Sequence, residues 1–445
     1  MKRFHIIFTF LSFLFFFFYA CKEETVTVKY DPNKPVTITS FSPDSGGVAT
    51  RLVILGNNFG NDTSILNVTL FDPARNKETV AKVIGVNNEC IYALLPRRAG
   101  SDNEISIRVK VGDSPVIEAT KKFGYKLAQS VSTLVGAVIN VNGTGGEING
   151  TFDVAMLSLP RNITYDATTN SLFLTGFEGW GYGIQAIRRI NLTAKEVTSV
   201  GVGITPPDAI VAVNGNIFVT TAFGHENLLF RMNNNNGYSK EKFINNLNDS
   251  YFYWGGDISY NPVDKLLYLQ SNYPTLSNIK TLDPNSLDKE SSIKVFYEVS
   301  QSLVKFSLAV DSKGAVYYSL ETQHVIYKLE KIGGVVVRTL FAGKDGTKGY
   351  KNGIGVDALF NTPEKMVFDK DDNMYVCDLG NHIIRKITPD GEVTLLAGVP
   401  QIAGKDDGKP LESKFNEPRG ICVDNDDVIY ICDRANHRIR KISIE

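Results

Sequence analysis

Thr394-Leu395-Leu396-Ala397-Gly398, Phe415-Asn416-Glu417-Pro418, Cys432-Asp433 and Asn436-His437-Arg438-Ile439-Arg440-Lys441-Ile442 follow one another near the C-terminus. The same four motifs stand 55 residues earlier, as Thr339-Leu340-Phe341-Ala342-Gly343, Phe360-Asn361-Thr362-Pro363, Cys377-Asp378 and Asn381-His382-Ile383-Ile384-Arg385-Lys386-Ile387. One offset kept by four separate motifs marks a repeated structural unit. Each copy consists of short runs rich in β-branched residues, broken by Gly, Pro, Asn and Asp, which is strand-and-turn punctuation. Nothing in this part of the chain calls for a helix.

With that frame, weaker copies become visible upstream. Each unit holds four strands, counted from an inner strand outward. The inner strands are expected at Pro160–Asp166, Pro207–Asn214, Trp254–Asn261, Val304–Asp311, Pro363–Asp369 and Pro418–Asp424. Third strands are expected to include Ala186–Asn191, Leu228–Met232, Asn278–Leu282, Val325–Leu329, Ile383–Ile387 and Arg438–Ile444. That makes six units. The sixth lacks a fourth strand, and Val131–Gly136 matches Val393–Gly398 in type, so it is expected to supply that strand and remove an exposed sheet edge. The motif resembles the NHL repeat of β-propellers. The resemblance implies an all-β, six-bladed propeller over residues 127–445, closed by strand 131–136.

Residues 36–126 alternate short β-rich runs with turns, at Val36–Phe41, Arg51–Leu55, Asn67–Phe71, Thr79–Val86, Cys90–Leu95, Glu104–Val111 and Lys121–Tyr125. Such a density of strands suits an immunoglobulin-like sandwich. Ser42-Pro43-Asp44-Ser45-Gly46-Gly47 before one strand, Gly56-Asn57-Asn58-Phe59-Gly60 after it, and a later Leu95-Pro96 resemble the IPT/TIG domain. The resemblance implies a spacer or interaction module.

Residues 1–20 begin Met1-Lys2-Arg3 and continue in an apolar run from Ile6 to Ala20, too short for an ordinary membrane span and suited to a signal peptide. The run ends at Tyr19-Ala20-Cys21. This resembles a bacterial lipoprotein cleavage box, which implies a lipidated Cys21 and a stable membrane anchor. An ordinary secretory signal beside an incidental cysteine is the alternative. Cys21-Lys22-Glu23-Glu24 resembles the export signal of Bacteroidetes surface lipoproteins, which implies an outer-membrane, outward-facing position. Residues 21–35 then form a tether.

Composition narrows the function. The 445 residues carry 47 Lys+Arg against 48 Asp+Glu, a net charge of −1, with no excess of positive charge to bind nucleic acid. Five cysteines and five histidines in no zinc-like spacing suggest no metal framework. Cys90, Cys377, Cys422 and Cys432 fall in apolar strands and read as buried thiols. The Asp-rich turns Asp369–Asn373 and Asp424–Asp427 faintly resemble calcium loops but lack the later bidentate Glu.

Winding of a four-stranded unit puts the second-to-third loops on one face together with the loops that enter the inner strands. Trp180 and Tyr182 lie in a glycine-flanked loop of the first unit. Tyr251, Tyr253 and Trp254 enter the third, Tyr273 falls in its second-to-third loop, and Tyr350 lies in the loop before the fifth. Aromatic rings in loops offer flat apolar surface to sugar rings. Packing between units is the alternative, above all for Trp254. His225, His324, His382 and His437 recur at like positions, where four around a channel mouth could bind a metal; the resemblance to the NHL repeat implies instead that they stabilise the loops by hydrogen bonds. Arg385-Lys386 and Arg440-Lys441 read as alternating solvent and inter-unit contacts.

Lipidated cysteine, export signal, sandwich and aromatic loops together resemble accessory binding proteins of Bacteroidetes polysaccharide-utilisation systems. The resemblance implies capture of a polysaccharide or oligosaccharide and partnership with an outer-membrane porter complex. Two other classes stay open. One is a propeller hydrolase or lyase with a channel metal site, for which the inner strands offer Asp208 and Asp257 near their starts, Asp257, after Gly255-Gly256, being the best single candidate. The other is a protein-binding adhesion module.

Overall fold

Alternation of apolar and polar residues decides which face of each strand is buried. In Arg51–Asn57 the side chains of Leu52 and Ile54 point inward while Arg51, Leu55 and Asn57 face out. The computed structural model describes residues 28–73, 76–96, 103–125, 129–136, 147–176, 185–204, 207–221, 229–242, 256–273, 276–286, 293–300 and 305–444. The chain divides into two units between Lys126 and Leu127.

The first unit is built from two sheets. One has the order Thr37–Ser42, Arg51–Asn57, Cys90–Leu94, Lys82–Asn87; the other Ser45–Gly46, Ile117–Tyr125, Asn103–Val111, Leu66–Asp72, Lys77–Val80. Leu52, Ile54, Phe59, Val68, Ile91, Ile107 and Phe123 form its buried core. The single strand expected at Thr79–Val86 is two. Lys77–Val80 pairs in one sheet, Lys82–Asn87 in the other, and the change falls at Ala81, which is buried and donates its N–H to Val68 O. The small side chain lets the backbone cross between layers.

The second unit contains six antiparallel sheets among the described residues. Their first strands are Pro160–Asp166, Pro207–Val213, Ile258–Tyr260, Phe306–Val310, Pro363–Phe368 and Pro418–Val423. Each of these strands neighbours the next, and the last neighbours the first. In the sixth sheet the fourth strand is Gln129–Val135, paired antiparallel with Arg438–Ile444 from Gln129↔Ile444 to Val135↔Ile439. Apolar layers fill the spaces between adjacent sheets, as where Val131, Tyr375, Cys377, Phe415, Ile431 and Ile442 pack together.

The first, fifth and sixth sheets carry an extra covering on their outer strand. Gly150–Thr151 pairs with Val197 and Glu196, Gly353–Ile354 with Val393 and Glu392, and Gly408 bridges to Val131. A sheet edge left open presents unpaired backbone groups, and these segments cover it. Each is tied down by a buried arginine of the third strand. Arg188 pairs with Glu147 and donates to Ile148 O at 2.8 Å. Arg385 donates to Lys351 O at 3.0 Å, and Arg440 to Asp406 O at 2.9 Å. Arg385 and Arg440 are therefore fully buried anchors within their own sheets, not the solvent and inter-unit contacts that their spacing suggested.

Candidate functional site

The repeat motif is a hydrogen-bonding device. Asp433 accepts the Asn416 N–H at 2.7 Å, Asn436 Nδ2 at 2.8 Å and Arg440 Nη1 at 3.0 Å. Asp378 does the same with Asn361, Asn381 and Arg385. Burial pushes Asp378 up to about 6, against the downward pull of Asn381, Asn361 and Arg385. Phe360 and Phe415 lie against the Arg385 and Arg440 guanidinium groups.

The histidines join one sheet to the next. His324 Nδ1 accepts the Thr362 N–H at 3.1 Å, His382 Nδ1 that of Glu417 at 3.2 Å, and His437 Nδ1 that of Leu159 at 3.1 Å. Each donor residue precedes the proline that opens the next first strand. The His437 bond joins the sixth sheet to the first. Asparagine thus holds the loop, and histidine holds the neighbouring sheet. Accepting at Nδ1 requires a neutral ring, and burial lowers all three imidazoles below their usual 6.5. The unfolded chain therefore takes up protons that the folded chain refuses, so stability present at neutral pH declines as pH falls below about 6.5. His437→Ala is expected to cost about 1–2 kcal/mol at pH 7 and to flatten that acid slope, read by urea denaturation at several pH values.

The entrances of the six first strands converge on one polar mouth that opens to solvent. Each contributes one charged residue at or just before its start: Arg161, Asp208, Asp257, Lys305, Glu364 and Arg419. Proline opens four of these strands, where its missing N–H leaves no ladder bond unmade. The backbone of this ring is held by hydroxyls of the neighbouring sheet. Thr175 Oγ1 donates to Asp208 O at 3.0 Å, Thr220 Oγ1 to Gly256 O at 2.9 Å, and Ser319 Oγ to Glu364 O at 3.0 Å. Cys377 occupies the place in the fifth sheet that Ser319 occupies in the fourth. Cys90, Cys377, Cys422 and Cys432 are all buried free thiols, and burial pushes the last three upward.

The ring is cross-linked by charge. Arg161 Nη1 lies 2.7 Å from Asp208, Arg419 Nη2 3.1 Å from Glu364, and Lys305 Nζ 2.7 Å from Glu321 and 3.5 Å from Glu364. Burial pushes Glu364 up, but Arg419 and Lys305 outweigh it and hold the carboxylate below its usual range. Glu321 is raised, first by burial and then by the negative Glu364.

Asp257, the candidate acid, is tied on both oxygens. Lys365 Nζ lies 2.6 Å from each, and the Leu308 N–H donates to Oδ2 at 2.7 Å. This arrangement fixes strands of the third, fourth and fifth sheets together. Asp257→Asn keeps the shape but strands the Lys365 charge. A loss of about 2 kcal/mol in chemical denaturation is expected, with Lys365→Met recovering part of it.

Of the aromatic candidates, Trp180, Tyr182, Tyr251, Tyr253 and Trp254 lie outside the described residues, as do His225 and Cys21. Tyr273 is the last residue of strand Leu267–Tyr273, paired with Leu276, rather than a loop residue. Tyr350 is half-buried, with the Arg385 guanidinium 5.0 Å from its ring, so it serves the buried anchor of the fifth sheet. In the Asp-rich turns, Asp369 Oδ1 accepts the N–H groups of Asp371 and Asn373, and Tyr375 donates to its Oδ2; Asp424 repeats the pattern with Asp426, Val428 and Tyr430. Of the six charged residues of the ring, two, Asp208 and Asp257, were visible in the sequence. The signal for Arg161, Glu364 and Arg419 is that each directly follows an opening proline, at Pro160, Pro363 and Pro418.

Comparison with known proteins fits this geometry. Residues 35–125 match the IPT/TIG domain, and residues 415–442 match the NHL repeat. The chain is 36% identical over 101 residues to NHL repeat-containing protein 2 of Gallus gallus, a stretch that is 22% of this chain and 14% of that protein. The chain thus matches about a seventh of the length of that curated relative. A solved structure of unknown function from Bacteroides thetaiotaomicron covers 94% of this chain and 100% of its own, at 24% identity and a TM-score of 0.72. A second from the same organism, called an auxiliary nutrient binding protein, covers 94% of this chain and 99% of its own, at 25% identity and a TM-score of 0.60. The chain is therefore an all-β protein with an IPT/TIG domain at 35–125 and an NHL repeat in its second unit.

Proposed function

We propose that this protein is a nutrient-binding accessory lipoprotein of the outer membrane that captures polysaccharide at the cell surface. The signal peptide is residues 1–20, and lipid is carried on Cys21. The IPT/TIG domain acts as spacer, and the six sheets are the blades of an NHL-type propeller. An outer-membrane porter complex receives the captured glycan. The observation that carries this reading is the end-to-end likeness to an auxiliary nutrient binding protein. The cyclic neighbour order of the six first strands supports the propeller, and the polar mouth on its axis gives the ligand a place to dock. The described residues that border the aromatic segments, Gly176 and Gly256, stand beside that mouth, since Gly176 pairs with Pro160 and Gly256 precedes Asp257. Trp180, Tyr182, Tyr251, Tyr253 and Trp254 are the proposed stacking residues.

The test uses the chain from Lys22 onward, which retains every described residue, on affinity gels containing plant, fungal and host polysaccharides. Retardation by at least one glycan, weakened by Trp180→Ala or Trp254→Ala, is the expected result. No retardation across the panel, together with product release from a glycan or lactone panel, would replace capture with an enzymatic reading.

A further inference from the structure

The mouth is not electrically symmetric. Around the ring the order is Arg161, Asp208, Asp257, Lys305, Glu364, Arg419, so Arg419 and Arg161 sit on neighbouring strands with Lys305 one strand beyond Glu364. The two signs also lie at different depths. The side chains of Asp208, Asp257 and Glu364 are 6%, 7% and 6% exposed, whereas those of Arg161, Lys305 and Arg419 are 18%, 41% and 16% exposed. The carboxylates form a buried floor, and the cations form the surface that a ligand meets.

Arg161 also retains unused hydrogen-bonding capacity. A guanidinium offers five donors in a planar fork. Arg161 directs Nη1 at Asp208, while its Nε is buried with no partner among the described residues. Arg419 directs Nη2 at Glu364. A buried donor left unmatched is costly and calls for an acceptor.

We propose that the mouth binds a carboxylate-bearing sugar, a uronate unit, with Arg161, Lys305 and Arg419 as the partners of the ligand carboxylate. The bidentate match between guanidinium and carboxylate supplies the selectivity. This inference rests on the capture reading and names its ligand class.

The experiment compares polygalacturonate, alginate and hyaluronan, each with its carboxyl-reduced, neutral form, against the chain from Lys22 onward by affinity electrophoresis and titration calorimetry. At least one acidic polymer is expected to bind tenfold or more tightly than its reduced form, with affinity falling as salt rises. Lys305→Gln, at the most exposed of the three cations, should weaken that binding at least fivefold, and Arg161→Lys should weaken it while keeping the charge. Melting curves of both variants establish that they fold. Equal binding of acidic and reduced forms, or indifference to Lys305→Gln, overturns the uronate assignment and leaves neutral-glycan capture standing. Failure of every polysaccharide, acidic and neutral, overturns the capture reading itself and this inference with it.

Discussion

Val131→Asp is expected to destabilise the whole second unit, by about 4 kcal/mol or more, and not merely to fray its last sheet. Val131 is 1% exposed, packs among Phe415, Ile421 and Ile442, pairs with Ile442 in the strand ladder and bridges to Gly408. A carboxylate there is buried with no cation provided for it, among the costliest single changes a core admits. The position also joins the start of the unit to its end. If the six sheets form a closed ring, opening that joint removes support from both the first and the sixth sheet, and one cooperative transition moves to lower temperature by on the order of 10 °C. If the sheets are a linear array with only nearest-neighbour contacts, the sixth sheet melts early and the others stay put. Scanning calorimetry separates a shifted single peak from a split one. Val80→Asp, at a 62%-exposed position in the first unit, is the control expected to change little.

Arg440→Ala is expected to cost about 3–5 kcal/mol, far more than the loss of a surface ion pair. Arg440 and Asp433 are both fully buried, with Nη1 3.0 Å from the carboxylate and 2.8 Å from Lys414 O, and Nη2 2.6 Å from Asp407. Truncation leaves a buried carboxylate and two backbone carbonyls without their donor and lets go of the segment that covers the outer edge of the sixth sheet. The loss should appear as a lower urea midpoint and as new proteolytic cleavage between residues 399 and 414. Arg440→Lys should recover only part of the stability, because an ammonium cannot span both segments with a planar fork. Equal stability of wild type and Arg440→Ala would mean that the repeat motif does not work through this anchor.

Where the repeat is strong, strand positions were legible to within a residue. Pro363–Phe368 and Pro418–Val423 differ from expectation only by their last residue. Proline start signals located Pro160–Asp166 and Pro207–Val213 equally well. The third and fourth first strands, which lack such a marker, run Ile258–Tyr260 and Phe306–Val310 among the described residues; the starts expected for them, Trp254 and Val304, lie outside those. Period-2 patterning cannot reveal a strand that changes sheets, which is why the break at Ala81 was missed. Tyr273 was misplaced as well: ladder pairing carries the strand through Gln270-Ser271-Asn272 to Tyr273. The mouth was the least legible part. Its strongest pair, Asp257 and Lys365, is separated by 108 residues, and no local pattern announces such a contact.

The account turns on a ligand held over the entrances of the first strands. Hydrogen exchange read by mass spectrometry, on the chain from Lys22 with and without a saturating polysaccharide that binds it, tests this most directly. Protection is predicted in peptides carrying Arg161, Asp208, Asp257, Lys305, Glu364 and Arg419. Protection confined to the turns at 369–373 and 424–427, or to residues 37–125, would contradict it.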